Sequence, residues 1–262
     1  MASLKALLWD VDGTLAETER DGHRVAFNQA FESCGLPWRW DEVHYGTLLG
    51  IAGGRERLLF DMALRADAPP LSERDALARA LHARKNLHYA DVVNAGGIAL
   101  RGGVLALMQQ CAAQGVRMGI TTTTSRSNLD ALLQTQLGPH GAARFAVTLC
   151  GDDVQHKKPH PEVYFKALAA LRVDACDALA VEDAPAGLAA ARAAGISVVV
   201  TRSLYFAQAS MQGATAIGPG LHERRGWWPA LPKADVLADG VGLKDLQAWH
   251  AGQAGQTGQT GA

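Results

Sequence analysis

The apolar run Ala6-Leu7-Leu8-Trp9 breaks abruptly into Asp10 and Asp12, with Gly13 and Thr14 behind them. Carboxylates at i and i+2 on the end of a buried strand repel one another and lose hydration, so they call for a cation or a shared proton. The chemistry that suits such a pair is a divalent metal site in which one carboxylate acts as nucleophile. A lone D-x-D is equally at home in a solvated turn, so other groups must join it to give it meaning. A calcium loop is excluded, because its pattern requires an acid or amide where Thr14 stands and glycine where Leu15 stands.

Three later stretches offer partners. Thr121-Thr122-Thr123-Thr124-Ser125 closes an apolar run ending at Ile120, just before a helical pattern near Asn128. Hydroxyls and backbone N–H groups there can converge on an anion. Lys157-Lys158-Pro159-His160-Pro161 puts a cation beside prolines that fix the backbone where a helix begins. Glu182-Asp183 follows the apolar run Ala178 to Val181 and repeats the costly arrangement of Asp10 and Asp12. One cation can neutralise both sets, and hard oxygen donors in a phosphate site favour Mg2+. Each stretch also has a plainer account: threonines suit strands and caps, lysine pairs are usually solvated, and acids commonly cap helices.

These groups need elements to hold them. From Glu17 to about Cys34, Val25, Phe27, Ala30 and Phe31 recur at helical spacing until Gly35 and Pro37 stop the pattern. A polar, helix-rich stretch continues through Arg55-Glu56-Arg57-Leu58-Leu59 and from Ser72 to Tyr89, with no convincing strand. Residues 16–95 therefore read as a small helical cap domain inserted after the first strand. From Ile98, helix and strand alternate, with strands at Val116–Ile120, Phe145–Leu149, Ala178–Val181 and Ile196–Val200. Such alternation predicts an α/β core over residues 1–15 and 96–250, a doubly wound parallel sheet that binds ligands beyond its carboxyl strand ends. Gly213 to Pro232, with the exposed-looking pair Trp227-Trp228, reads as a loop, and Leu243 to Trp249 as a last helix. Ala251 to Ala262, a Gly/Gln/Thr repeat, reads as a disordered tail.

Lys and Arg number 25 against 26 Asp and Glu, so no overall field favours nucleic acid or an anionic membrane, and any attraction for phosphate is local. The four cysteines lack C-x-x-C spacing, no basic-then-apolar leader precedes the first strand, and no apolar stretch approaches the roughly 20 residues of a membrane helix. A cytoplasmic protein with free thiols is expected, without nucleic-acid or membrane partners. His156 and His160 are four apart, but Pro159 between them spoils helical zinc spacing, and they read as loop residues.

Taken in order, D-V-D-G-T-L, the threonine run, Lys158-Pro159 and Glu182-Asp183 resemble the motifs of the haloacid dehalogenase superfamily of phosphatases and phosphomutases. The resemblance implies that Asp10 attacks phosphorus to form an aspartyl phosphate. It also implies a Mg2+ held by Asp10, the backbone carbonyl of Asp12, Asp183 and Glu182. Asp12 would protonate the leaving sugar oxygen and then take a proton from the attacking water. Thr122 would be the phosphate-binding hydroxyl, with Thr123 and Thr124 beside it, and Lys158, directly before proline, the cation over phosphate and Asp10. The dehalogenases lack the second aspartate, which speaks against their chemistry here.

Leu49 to Arg57 could be mistaken for a phosphate loop, but it lacks the Lys-Ser/Thr end and follows no strand. It resembles instead the specificity loop of the β-phosphoglucomutase-like subfamily, which implies that Arg55 holds a second phosphate with Lys85 as the other cap cation. Closer still, E-T-E-R-D-G-H-R-V-A-F-N, G-G-R-E-R, A-L-R-G-G-V, T-T-T-S-R-S-N and H-K-K-P-H-P-E-V-Y look like the CbbY-type phosphatases of autotrophic bacteria and plastids. That likeness implies hydrolysis of xylulose 1,5-bisphosphate, a Rubisco inhibitor, to xylulose 5-phosphate. Glu17, His23 and Arg101 are further candidates for the sugar hydroxyls and the second phosphate. Two departures stand out: His23 sits one residue later after Thr18 than in the mutase-like pattern, and Gly102 replaces the usual proline after Arg101. The expectation is a monomeric enzyme acting on a small sugar phosphate. A phosphomutase stays open, as does a sugar-phosphate sensor, although a sensor has no need of a nucleophile.

Overall fold

A computed structural model of the chain describes residues 3–231 and 240–257. Strands β1 (Ala6–Trp9), β2 (Arg117–Thr121), β3 (Val147–Leu149), β4 (Ala178–Glu182), β5 (Ser197–Thr201) and β6 (Ala216–Gly218) form one parallel sheet in the order β3-β2-β1-β4-β5-β6. Helices α1 (Arg24–Ser33), α2 (Glu42–Leu48), α3 (Gly54–Leu64) and α4 (Leu71–Asn94) follow β1 before the chain returns to the sheet. The remaining helices are α5 (Val104–Ala113), α6 (Arg126–Leu137), α7 (Glu162–Leu171), α8 (Pro185–Ala193) and α9 (Leu243–Thr257).

The strands read as unbroken apolar runs because both faces of the sheet are covered. Leu7, Trp9, Leu179 and Val181 enter one cluster with residues of α5, α6 and α9, such as Met108, Leu129 and Leu246. Their alternates Leu8, Ala180 and Val198 enter a second cluster with Tyr164 and Leu168 of α7 and Leu188 of α8. Truncating a fully buried residue such as Leu8 to alanine should cost about 2–5 kcal/mol, so the strand ends are held by a rigid base. Trp9 stands opposite Ile120 on one side and Val181 on the other. Asp10, Thr121 and Glu182 therefore leave the sheet side by side.

The helices after β1 build a cluster of their own, in which Phe27, Phe31, Trp38, Trp40, Tyr45, Leu58 and Leu81 pack together. Inside it the Trp40 indole donates to buried Asp61 at 2.8 Å, and at its surface the Asp41 carboxylate caps α2 on the His44 N–H at 2.7 Å. The two chain segments joining this helical unit to the sheet run side by side, with Ala16 bridged to Leu100.

The carboxyl-terminal part departs from expectation. The stretch read as a loop contains β6, which pairs with β5, and the two tryptophans separate: Trp227 is buried against Trp249 at a centroid distance of 4.9 Å, whereas Trp228 is exposed. An isolated three-residue strand is too short to read from periodicity. Helix α9 runs on to Thr257, through much of the stretch expected to be a disordered tail, and the rest of that stretch lies outside the described residues. All four cysteines are free, and among the described residues no helix is long and apolar enough to cross a membrane.

Candidate active site

Asp10 and Asp183, just past the ends of β1 and β4, and Glu182, the last residue of β4, are all buried, and one donor atom from each lies within 4.8 Å of the others. Lys158 reaches between them, its Nζ 2.7 Å from Asp10 Oδ1, 2.6 Å from Glu182 Oε1 and 2.8 Å from the Thr121 carbonyl. Tyr164, in the first turn of α7, donates its hydroxyl to the same Glu182 oxygen. Asp183 sits over Gly13, whose φ of 85° and missing Cβ are both required, since a Cβ there would collide with the carboxylate.

Electrostatics define what this cluster lacks. Burial, with the Glu182 anion adding to it, pushes Asp10 up to about 7 in spite of Lys158. Burial also raises Asp183 well above the usual carboxylate range, with Asp10 and Glu182 as its neighbours. Burial alone would lower Lys158, but the Asp10 and Glu182 carboxylates outweigh it and hold the ammonium well above its usual range. Three carboxylates thus face one ammonium, leaving two negative charges uncancelled when all are ionised. A hard divalent cation fits that deficit and that donor set.

Asp12 behaves differently. Its carboxylate turns away from the cluster to accept from Thr18 Oγ1 at 2.5 Å, and His23 Nε2 lies 2.9 Å from the same oxygen. Of the four residues expected around the metal, Asp12 alone has its side chain outside the cluster, with one carboxylate oxygen held by Thr18 and His23. Burial would raise Asp12, but His23 and Thr18 outweigh it and bring the group to about 2. The extra residue before His23 is absorbed by a wide π-type turn over Glu19–His23, closed by the Arg24 N–H on the Glu19 carbonyl. His23, stacked on Tyr89 at 4.3 Å, therefore still reaches Asp12.

A polar cavity of about 40 Å³ opens from Asp12 toward the helical unit, and its lining includes His23, Lys85, Thr123 and Thr124, together with Arg57 and Lys157. Lys85 is fully enclosed, faces the rings of Phe27 and Tyr89 at 5.2 and 5.1 Å, and is pushed down to about 7 by burial against the pull of Asp12 and Glu19. Thr122, next to the end of β2, is buried and accepts the Thr124 N–H at 3.2 Å.

Of the nine expected substrate residues, five do not line this cavity: Lys158 is buried in the carboxylate cluster, Thr122 follows the end of β2, and Arg55, Arg101 and Glu17 turn to other partners. Arg55 turns outward to pair with Asp75, and Arg57 lines the cavity instead, held by Glu19 at 3.3 Å and by the Tyr45 hydroxyl at 3.1 Å. Residues two apart on a helix do not share a face, so α3 can offer only one of the two arginines. Arg101 is taken up by carbonyls, with Gly13, Thr201, Arg202 and Pro219 as acceptors, and Glu17 lies 3.4 Å from it beside a separate groove. Both brace the crossing segments. Glu19, Arg57 and His82, which line the cavity, and Tyr164 were not singled out by the sequence; Tyr164 had a readable signal, since Pro161 precedes a helix and puts it in the first turn. His156, His160 and Glu162 also bring donors within 4.8 Å. Glu162, however, is already occupied by the backbone N–H groups of Gln155 and His156 and by Lys166, so it shapes the Lys158 loop.

Comparison with known proteins places this geometry among relatives. A family model described as haloacid dehalogenase-like hydrolase matches residues 4–195. The chain is similar to protein CbbY encoded on a plasmid of Cupriavidus necator, 42% identical over 255 residues that cover 95% of this chain and 98% of that one. Among solved structures it is similar to CbbY from Rhodobacter sphaeroides in complex with phosphate, with a TM-score of 0.76 and 37% identity over 80% of this chain and 92% of the other. A mutant of that protein in complex with xylulose-(1,5)bisphosphate matches to the same extent.

Proposed function

The chain belongs to the haloacid dehalogenase-like hydrolases, and from that premise we propose that it is a Mg2+-dependent sugar-phosphate phosphatase that works through an aspartyl phosphate on Asp10, with xylulose 1,5-bisphosphate as substrate. The observation that carries the reading is the pairing of two aspartates in opposite states: Asp10 on Lys158 among buried carboxylates, and Asp12 held apart by Thr18 and His23. The bisphosphate is proposed because a relative sharing 37% identity is known in complex with it.

Asp10, Asp183, the Asp12 main chain and Glu182 would hold the metal, which when bound supplies neutralisation of the phosphoryl charge. The chain's own groups do the rest. Asp10 attacks phosphorus while Lys158 offsets charge on its carboxylate, and Thr122 with the neighbouring N–H groups receives the phosphoryl oxygens. Asp12 rests ionised. An incoming phosphate dianion raises its pKa, so the group that rests as a base takes up a proton from solvent as substrate binds and then gives it to the leaving sugar oxygen. Ionised again, it takes a proton from the water that attacks the aspartyl phosphate. His23 and Thr18 fix its orientation throughout.

Residues 16–95 act in this reading as a cap, and the second phosphate goes to Arg57 and Lys85, with Arg55 left outside. We place the enzyme in the cytoplasm as a monomer. The test is phosphate release from a panel of sugar mono- and bisphosphates, with sugar-phosphate isomers followed in parallel. Stoichiometric phosphate from the bisphosphate supports a phosphatase; isomerised product without net phosphate would make the chain a phosphomutase.

A further inference from the structure

Lys157 stands directly before Lys158 but turns to the helical unit, where its Nζ lies 2.9 Å from Glu56 Oε1 in the first turn of α3, a partner 101 positions away. Lys158 is buried on Asp10 and Glu182. One short loop thus holds the helical unit with one lysine and the carboxylate cluster with the next.

The contact is built into the chain. Gly53, at φ 100°, lies against both partners, and a Cβ there would overlap the Glu56 carboxylate and crowd the Lys157 ammonium. The other oxygen of Glu56 is buried with no partner, so the carboxylate depends on Lys157. Burial would raise Glu56, yet Lys157, helped by the residue's own backbone N–H and by Arg55, outweighs it and lowers the group. On its far side the loop is pinned by Glu162, which accepts the N–H groups of Gln155 and His156.

The cavity beneath holds about 40 Å³, against the roughly 300–1,000 Å³ of an ordinary small-molecule site. A sugar bisphosphate therefore enters only when the helical unit lifts, which separates Lys157 from Glu56, and return of the unit remakes the pair. We infer that Lys157 is a positioning residue whose ion pair with Glu56 latches the helical unit over the pocket and sets the loop that places Lys158 on Asp10. The inference rests on the phosphatase reading.

Lys157→Met, Glu56→Gln and the double variant test it. Both partners are partly exposed, so each single change should lower kcat/KM for the bisphosphate by about two- to fivefold. The double variant should lose no more than the worse single one. The wild-type advantage should shrink as salt rises. Amide exchange over residues 53–58, measured without substrate, should quicken in all three. Additive losses, or unchanged exchange, would overturn the latch. So would a Glu56→Gln variant that works better than wild type while Lys157→Met works worse, because Lys157 would then be a phosphate contact held back by its partner. A wild-type chain inactive on every sugar phosphate would sink the phosphatase reading and leave the exchange arm to decide the latch.

Discussion

The ammonium of Lys158 lies 2.7 Å from the Asp10 carboxylate although 148 positions separate them in the chain. That contact exists because β1 and β4 are neighbours and because the loop before α7 folds back over their ends. It leaves Asp10 with a cation on one oxygen and Asp183 with none of the lysine's contacts, which is the asymmetry a divalent metal would complete.

Metal and proton should compete for this cluster. Folding raises Asp10 from 3.8 to about 7, so the metal-free fold gains most from that group below about pH 4 and loses the gain as pH rises toward 7. Asp183 shifts in the same direction. A divalent cation displaces those protons and removes the repulsion. Thermal melts with and without Mg2+ should therefore show a larger rise in Tm near about pH 8 than near about pH 5. An equal or smaller rise at the higher pH contradicts the cluster as the metal site.

Asp12→Ala should separate substrates by leaving group. Sugar alkoxides need a proton in the transition state and should slow by about 100- to 10,000-fold, whereas an activated aryl phosphate needs none and should slow far less. Equal losses in kcat would make Asp12 structural.

The two arginines of α3 should part company. A charge-assisted guanidinium–phosphate contact is worth about 1.5–3 kcal/mol, so Arg57→Ala should lower kcat/KM for the bisphosphate roughly 10- to 100-fold while sparing a small monophosphate. Arg55→Ala removes an exposed ion pair with Asp75 and should change kcat/KM less than about twofold. The reverse ranking would return the second phosphate to Arg55.

Much of the fold was legible because its signals are local. Ala6, Leu8 and their alternates Leu7, Trp9 enter opposite clusters, which is what makes a parallel strand read as an unbroken apolar run. Asp10, Lys158, Glu182 and Asp183 were legible as acids and a cation at strand ends. Helix rotation was not. Leu58 and Met62 fix the buried face of α3, and only that packing decides that Arg57 points inward and Arg55 outward. Glu17 lost its expected place for a related reason: the wide turn after Thr18 brings Glu19 to the cavity and leaves Glu17 on Arg101.

The covalent step on Asp10 is the claim most open to direct measurement. Wild-type protein mixed with xylulose 1,5-bisphosphate and Mg2+, quenched in acid and treated with borohydride, should carry homoserine at position 10, because borohydride reduces an acyl phosphate and leaves a free carboxylate alone. Asp10→Asn should show neither that product nor turnover while still folding, with a cooperative thermal melt. Full turnover of the bisphosphate with Asp10 unmodified at every quench time would contradict the account.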